Sequence, residues 1–210
     1  MSQGLTAQVN APAKLNLNLH ITGRLENGYH TIDSVVQAIA LHDTISFVSR
    51  PMSRGAYDRL DLRPEQTVVE LMEFSLGDQG SLPIVLHYEE ESIPEASTGA
   101  PADNLLVKAW QLALRDRGLP LVERLLGTSG IYPDLLLIEL HLDKQIPSGA
   151  GMGGGSADAA ALLRVLYEDC GFTQAQLDQL AYQLGADVPG LIRGGTIRCR
   201  GIGEKVEVIQ

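Results

Sequence analysis

The chain has 210 residues, with 26 acidic and 16 basic side chains and a formal net charge of −10. That length suits one large domain or two small ones, either able to bury a hydrophobic core, and the composition shows no mark of disorder. The acidic excess argues against a general nucleic-acid binder, whose basic surface must displace counterions from phosphates, yet it leaves room for one small anion held by a few local donors.

Two cysteines, Cys170 and Cys199, lack zinc-type spacing and read as free thiols of a reducing compartment. Met1 to Asn10 has neither a basic start nor an apolar run, so no signal peptide is expected. Apolar stretches such as Leu135 to Ile138 are far too short to span a bilayer. A cytoplasmic protein without membrane attachment is the expectation.

In chain order, residues 13–21 alternate. Leu15, Leu17, Leu19 and Ile21 point one way and Lys14, Asn16, Asn18 and His20 the other, which predicts a strand with one buried face. Gly23 and Asn27-Gly28 mark turns. Ile32 to Leu41 is apolar and ambiguous between strand and helix; Thr44 to Ser49 reads as a strand. Residues 50–102 are least regular, with short strand candidates at Arg59–Leu62 and Leu82–Tyr88, and Glu89-Glu90-Glu91 reads as a solvated loop.

Asp103 is a suitable N-cap for a helix to about Arg117. In it Leu106, Ala109, Trp110 and Ala113 follow the spacing of a buried face, and Gly118 closes it. Leu135 to Leu142, between Pro133 and Pro147, reads as a buried strand. A helix is expected from about Ser156 to before Gly171. Another starts at Thr173, where Gln176 completes a capping box and Leu177, Leu180, Ala181 and Leu184 share one face. Gly185 to Pro189 interrupts it, and strands follow at Thr196–Arg200 and Val206–Ile209. There is no internal repeat.

The most informative stretch is Pro147 to Ala161. Five of its glycines fall within seven residues, Gly149 to Gly155, after a buried strand and before an alanine-rich helix. Glycine lets a ligand approach backbone amides closely, and those amides with a helix N-terminus attract phosphate. Ser156 adds a hydroxyl. The loop is no Walker A, since no Gly-Lys-Ser/Thr follows. It fits the dinucleotide pattern only loosely, and it lies two-thirds along the chain instead of opening a βαβ unit.

Three segments, in this order, resemble one family. They are Ala11 to Leu17 (APAKLNL) with Gly28-Tyr29-His30, the glycine loop from Pro147 through Ala160, and Gly185-Ala186-Asp187-Val188-Pro189 (GADVP) with Gly201 to Glu204. The glycine loop is that of the GHMP kinase superfamily. The combination is similar to its kinases for 4-diphosphocytidyl-2-C-methyl-D-erythritol, across residues 9–42, 103–118 and 139–207, while 50–102 match poorly. The resemblance implies an α+β fold, the GHMP kinase N-terminal domain (ribosomal protein S5 domain 2-like), with a mixed sheet packed against helices and an unusual left-handed crossover. It implies transfer of the γ-phosphoryl group of ATP to the 2-hydroxyl of that substrate, a step of the non-mevalonate isoprenoid pathway. Family members continue into a second domain with another glycine motif. Residues 1–210 therefore correspond to the first domain, and weak or no turnover by this chain alone and association of copies, a homodimer among them, are expected.

By resemblance, Asp187 is the base that orients the tertiary hydroxyl and accepts its proton, although an aspartate in a turn before proline is more often a cap. Lys14, otherwise a solvent-facing strand lysine, stands beside it to stabilise the developing alkoxide. Asn16 binds substrate hydroxyls. Tyr29 stacks on the cytosine and His30 bonds its edge. Pro147, Gly149, Gly151, Gly153, Gly154, Gly155 and Ser156 form the phosphate site, and Lys144 and Asn104 lie near the adenine, each with a plain structural role as the alternative. Mg²⁺ comes with the triphosphate, with Ser156 a candidate ligand. A kinase for another small alcohol, such as mevalonate or homoserine, and a nucleotide-binding module without turnover are the alternatives.

Overall fold

A computed structural model describes residues 4–61, 67–92, 104–168 and 173–209. Among these residues eight strands form one sheet: β1 (Thr6–Asn16), β2 (His20–Arg24), β3 (His30–Met52), β4 (Thr67–Ser75), β5 (Ser81–Ser92), β6 (Leu135–Lys144), β7 (Thr196–Gly201) and β8 (Lys205–Val208). Six helices accompany it: α1 (Arg54–Tyr57), α2 (Leu105–Arg117), α3 (Leu119–Leu126), α4 (Gly154–Tyr167), α5 (Gln174–Ala181) and α6 (Val188–Arg193). The sheet runs β4-β5-β6-β3-β7-β8, with β1 and β2 also paired to β3. Among the described residues only β5 and β6 run parallel, so the sheet is mixed. A parallel pair needs a crossover, and α2 and α3 lie within it.

The long strand β3 organises everything. Its C-terminal half pairs with β6, its N-terminal half with β2 and β7, and its middle, from Val36 to Val48, with β1. The Ile32–Leu41 and Thr44–Ser49 segments are thus one strand. Because β3 is central, both its faces are partly covered, which blurs the alternation that identifies a strand.

Alternate residues of the central strands (Ile45 and Phe47, Ile84 and Leu86, Leu136 and Ile138) join α2, α3 and α4 in one buried core. Trp110 on α2 is wholly buried and meets Phe47 edge-to-face at 5.1 Å and 83°. Such a pair adds about 0.5–1.5 kcal/mol to area burial. The opposite face carries a small cluster of Val85, Leu135 and Leu137.

Several local expectations are corrected. The alternating segment 13–21 splits into the end of β1 and the start of β2, and its apolar side faces solvent, with Leu15, Leu17, Leu19 and Ile21 between 41% and 65% exposed. Alternation specifies two unlike faces; it does not specify what covers them. Glu89 to Glu91 lie within β5, in register with His141 to Asp143 of β6. Arg59 to Asp61 form no strand but follow α1 as a turn, and Leu62 lies outside the described residues. Asp103 and Cys170 also lie outside them. The residue that caps α2 is Asn104, whose Oδ1 accepts from the Leu106 amide at 2.8 Å. Helix α4 begins at Gly154, two residues before the expected start. The Thr173 capping box of α5 is present. Strand β4 and helices α1, α3 and α6 were not among the elements expected from the sequence.

Candidate active site: a glycine loop beside a lysine–aspartate pair

After β6 the chain turns through the glycine loop into α4. Gly149, Gly151 and Gly153 adopt left-handed φ of 73°, 72° and 71°, a conformation costing other residues about 1–2 kcal/mol each. Gly153 is the N-cap and offers no side chain, so the first-turn amides of Gly154, Gly155 and Ser156 have neither an intrahelical acceptor nor a side-chain cap. A cleft of about 470 Å³ opens over them, lined by Pro147 to Ser156 with Asn104, Lys144 and Asp158. Amides and helix dipole converge on it, the arrangement that holds phosphate. Asn104 sits at the rim; its amide donates to the Tyr88 hydroxyl at 3.1 Å, which donates in turn to Glu90.

Beneath the loop lies a buried ionic cluster. The Lys144 ammonium bonds Asp43 of β3 and, at 2.8 Å, Asp158 of α4, and all three side chains are at most 4% exposed. Asp43 also accepts from the amides of Gln145 and Ile146 at 2.6 and 2.8 Å. Lys144, expected near the adenine, is therefore committed to two carboxylates under the loop. A Cβ on Gly154 would come within 3.2 Å of its Nζ, so the helix start rests on this cluster.

One cation cannot neutralise two buried carboxylates. Asp43 has the backbone donors, whereas the second oxygen of Asp158 has no hydrogen-bond partner. Burial pushes the Asp158 carboxyl up to about 7, against the opposing pull of Lys144. The two carboxylates outweigh burial at Lys144 itself and hold its ammonium above the ordinary lysine value. Folded Asp158 thus keeps its proton up to about pH 7 while the unfolded chain releases it near 3.8. The native state binds more protons in that window, so this group's contribution to stability falls as pH rises through it, by about 1.4 kcal/mol per unit. Asp158→Asn should remove that slope. Thermal unfolding of both proteins across the window checks this: the wild type should lose ground to the variant as pH rises, and parallel profiles would refute it.

On the other side of the loop stands Lys14 of β1. Its amide donates to the Met152 carbonyl at 3.0 Å, tying β1 to the loop. Its Cε would lie 3.4 Å from a Cβ on Gly153. Its ammonium reaches Asp187 at 3.6 Å and Asn16 Oδ1 at 2.8 Å. Asn16 Nδ2 donates to Ser34 at 3.2 Å, and Ser34 to the Asn18 carbonyl at 2.6 Å, so a relay of polar groups orients the lysine.

Asp187 occupies the N-cap position of α6, yet its side chain makes no capping bond. Its carboxylate is half-exposed beside the 12%-exposed Lys14 side chain. An aspartate in a cap position that caps nothing has its oxygens available for other work. Tyr29 and His30 stand at the β2–β3 turn, with Tyr29 60% exposed; neither lines the recess around Lys14 and Asp187.

Asp43, Asp158 and Ser34 escaped the sequence reading. The signal for the first two was a charge inside an apolar strand and inside an alanine-rich helix. Among the described residues there is no cluster of three or more His, Cys, Asp or Glu able to hold a metal, and no helix long and apolar enough to cross a membrane.

Residues 104–195 match the model of the GHMP kinases N terminal domain. Curated relatives include the 4-diphosphocytidyl-2-C-methyl-D-erythritol kinases of Neisseria gonorrhoeae, 39% identical over 93% of this chain and 53% of the relative, and of Acinetobacter baylyi, 34% identical over 96% and 56%. The chain spans about half the length of the curated relatives it matches. Among solved structures, a 4-(cytidine 5'-diphospho)-2C-methyl-D-erythritol kinase superposes with TM-score 0.60 at 28% identity, over 97% of this chain and 55% of that one. The homoserine kinase of Cytophaga hutchinsonii, at TM-score 0.53 and 14% identity over 96% and 51%, shares the fold.

Proposed function

We propose that the chain, residues 104–195 of which match the GHMP kinases N terminal domain, is the nucleotide-binding part of a kinase that transfers the γ-phosphoryl group of ATP to the 2-hydroxyl of 4-diphosphocytidyl-2-C-methyl-D-erythritol. One observation carries the reading: Lys14 stands between the glycine loop, against Gly153, and the half-exposed carboxylate of Asp187. A phosphate on the loop and a hydroxyl at Asp187 would then meet at one ammonium.

The division of labour follows. The first-turn amides of α4 hold the phosphates. Asp187 accepts the hydroxyl proton as the oxygen forms its bond to the γ-phosphorus and the bond to the β-phosphate oxygen breaks. Lys14 offsets negative charge at both centres. Asn16 and Ser34 keep the ammonium in place. The Tyr29 ring is free to stack on a base, with His30 beside it for the base edge. Mg²⁺, which neutralises triphosphate charge, would arrive with the nucleotide, since no cage of acidic or imidazole ligands occurs among the described residues. The Ser156 hydroxyl, lining the loop cleft, suits it as a ligand.

Thermal shift tests the reading directly. A ligand that binds only the native state at 100 times its Kd stabilises by about 2.7 kcal/mol. A non-hydrolysable ATP analogue and the cytidyl substrate should each raise Tm, and mevalonate and homoserine should not. A response to the ATP analogue and to mevalonate or homoserine, with none to the cytidyl compound, would assign the domain to another small alcohol.

A further inference from the structure

Lys14 and Asp187 share the mouth of a small recess whose walls are apolar. Val36 and Ala38 of β3, Leu191 of α6 and Ile197 of β7 supply them. The cavity is about 20 Å³. One water-sized occupant needs about 10–15 Å³ on the same measure, with two to four polar partners to hold it. The charged groups of the lining, Lys14 and Asp187, pair with each other at 3.6 Å, and the Cys199 thiol, which burial, then Asp187, push up to about 11, stays neutral and is at most a weak donor. The recess therefore suits a single methyl group better than water.

Its size is set by built features. Gly190 on α6 lies so close to β7 that an added Cβ would stand 2.8 Å from Ile197 Cδ1, so Ile197 closes the wall only because residue 190 has no side chain. The Gly195 carbonyl accepts from the Ala38 amide at 2.9 Å and pins the opposite rim.

Resting on the function proposed above, we propose that this recess receives the methyl branch on the carbon whose hydroxyl faces Asp187, and so selects a methyl-branched tertiary alcohol over an unbranched secondary one. A hydroxyl oxygen at Asp187 leaves the other substituents of its carbon close to the site, and this recess, which Asp187 helps to line, is sized for one small substituent. A methyl there is excluded from water and fixes the rotation of the carbon, turning the oxygen toward the phosphate cleft. An ethyl branch would overfill it.

Calorimetric titration of the 210-residue chain, with the loop saturated by a non-hydrolysable ATP analogue, provides the test. The ligands are 4-diphosphocytidyl-2-C-methyl-D-erythritol and the same compound without the methyl. The methylated ligand should bind roughly 10-fold tighter or more, the scale of one methylene in a fitted pocket. Ala38→Val, which fills the recess, should bring the ratio of the two dissociation constants to about one or below. Val36→Ala, which widens it, should improve binding of an ethyl-branched analogue relative to the methyl one and serves if the first variant misfolds. Equal affinities for the two ligands in the wild type, or a ratio unmoved by the variants, would overturn the recess assignment and leave the kinase reading intact. Binding of the ATP analogue with neither cytidyl ligand would overturn both.

Discussion

Lys144→Met is expected to destabilise the domain by about 3–5 kcal/mol, the range for breaking a buried ion pair from one side. Methionine matches the length of the lysine stem, so little packing is lost and the effect is chiefly electrostatic. The substitution leaves Asp43 and Asp158 facing each other without a cation in a region where neither is more than 3% exposed. Asp43 keeps its two backbone donors, so Asp158 must take the proton, and its pH-dependent penalty grows. Urea unfolding should show a lower midpoint at unchanged slope, the mark of lost stability without a change in exposed surface. The double variant Lys144→Met/Asp158→Leu should recover a substantial part, because it removes the unpaired carboxyl as well. A loss below about 1 kcal/mol, the worth of an exposed pair, would show that the cluster is solvated and not the foundation of the loop. A second consequence separates this cluster from an ordinary structural pair. Gly154 rests against the ammonium, so the nucleotide-induced Tm rise should shrink in Lys144→Met even after correction for basal stability.

What the sequence revealed and what it hid divide along physical lines. The glycine loop was legible because strand, glycines and alanine-rich helix are contiguous, and local order suffices to build a phosphate cradle. The burial of Trp110 was legible from helical spacing, and the α5 cap from Thr173 and Gln176. Meeting of Lys14 and Asp187 was not legible from spacing, because only the pairing of β1 with β3 and of β3 with β7, followed back to α6, brings such distant positions together; resemblance supplied that expectation. Lys144 illustrates a different limit. Its position after an apolar strand is equally consistent with a ligand contact and with an internal ion pair. The deciding partners, Asp43 and Asp158, lie on separate elements. The leucines of 15–19 mark a third limit, since the covering of a strand face is a tertiary fact.

In a protein that carries the second kinase domain as well, Asp187→Asn should lower the rate of phosphoryl transfer by about 10²- to 10⁴-fold, the usual contribution of a positioned general base, while leaving binding at the glycine loop essentially intact. Asparagine preserves the shape and can still orient a hydroxyl, but it cannot take the proton, and it removes the negative partner of Lys14 at 3.6 Å. Binding and chemistry separate here because Asp187 is not among the residues lining the phosphate cleft, so an ATP analogue should raise Tm as much in the variant as in the wild type. Lys14→Met should behave differently. Lys14 does not line the phosphate cleft either, but its amide bonds the Met152 carbonyl and its stem packs beside Gly153 while its ammonium reaches Asp187, so its loss should disturb the loop, and with it nucleotide binding, together with turnover. Near-normal turnover by Asp187→Asn would remove the base from the mechanism and leave the aspartate an anchor for the lysine. The two variants must differ if phosphate and acceptor meet at Lys14: one side of the ammonium serves the nucleotide, the other the proton transfer, and only the lysine serves both.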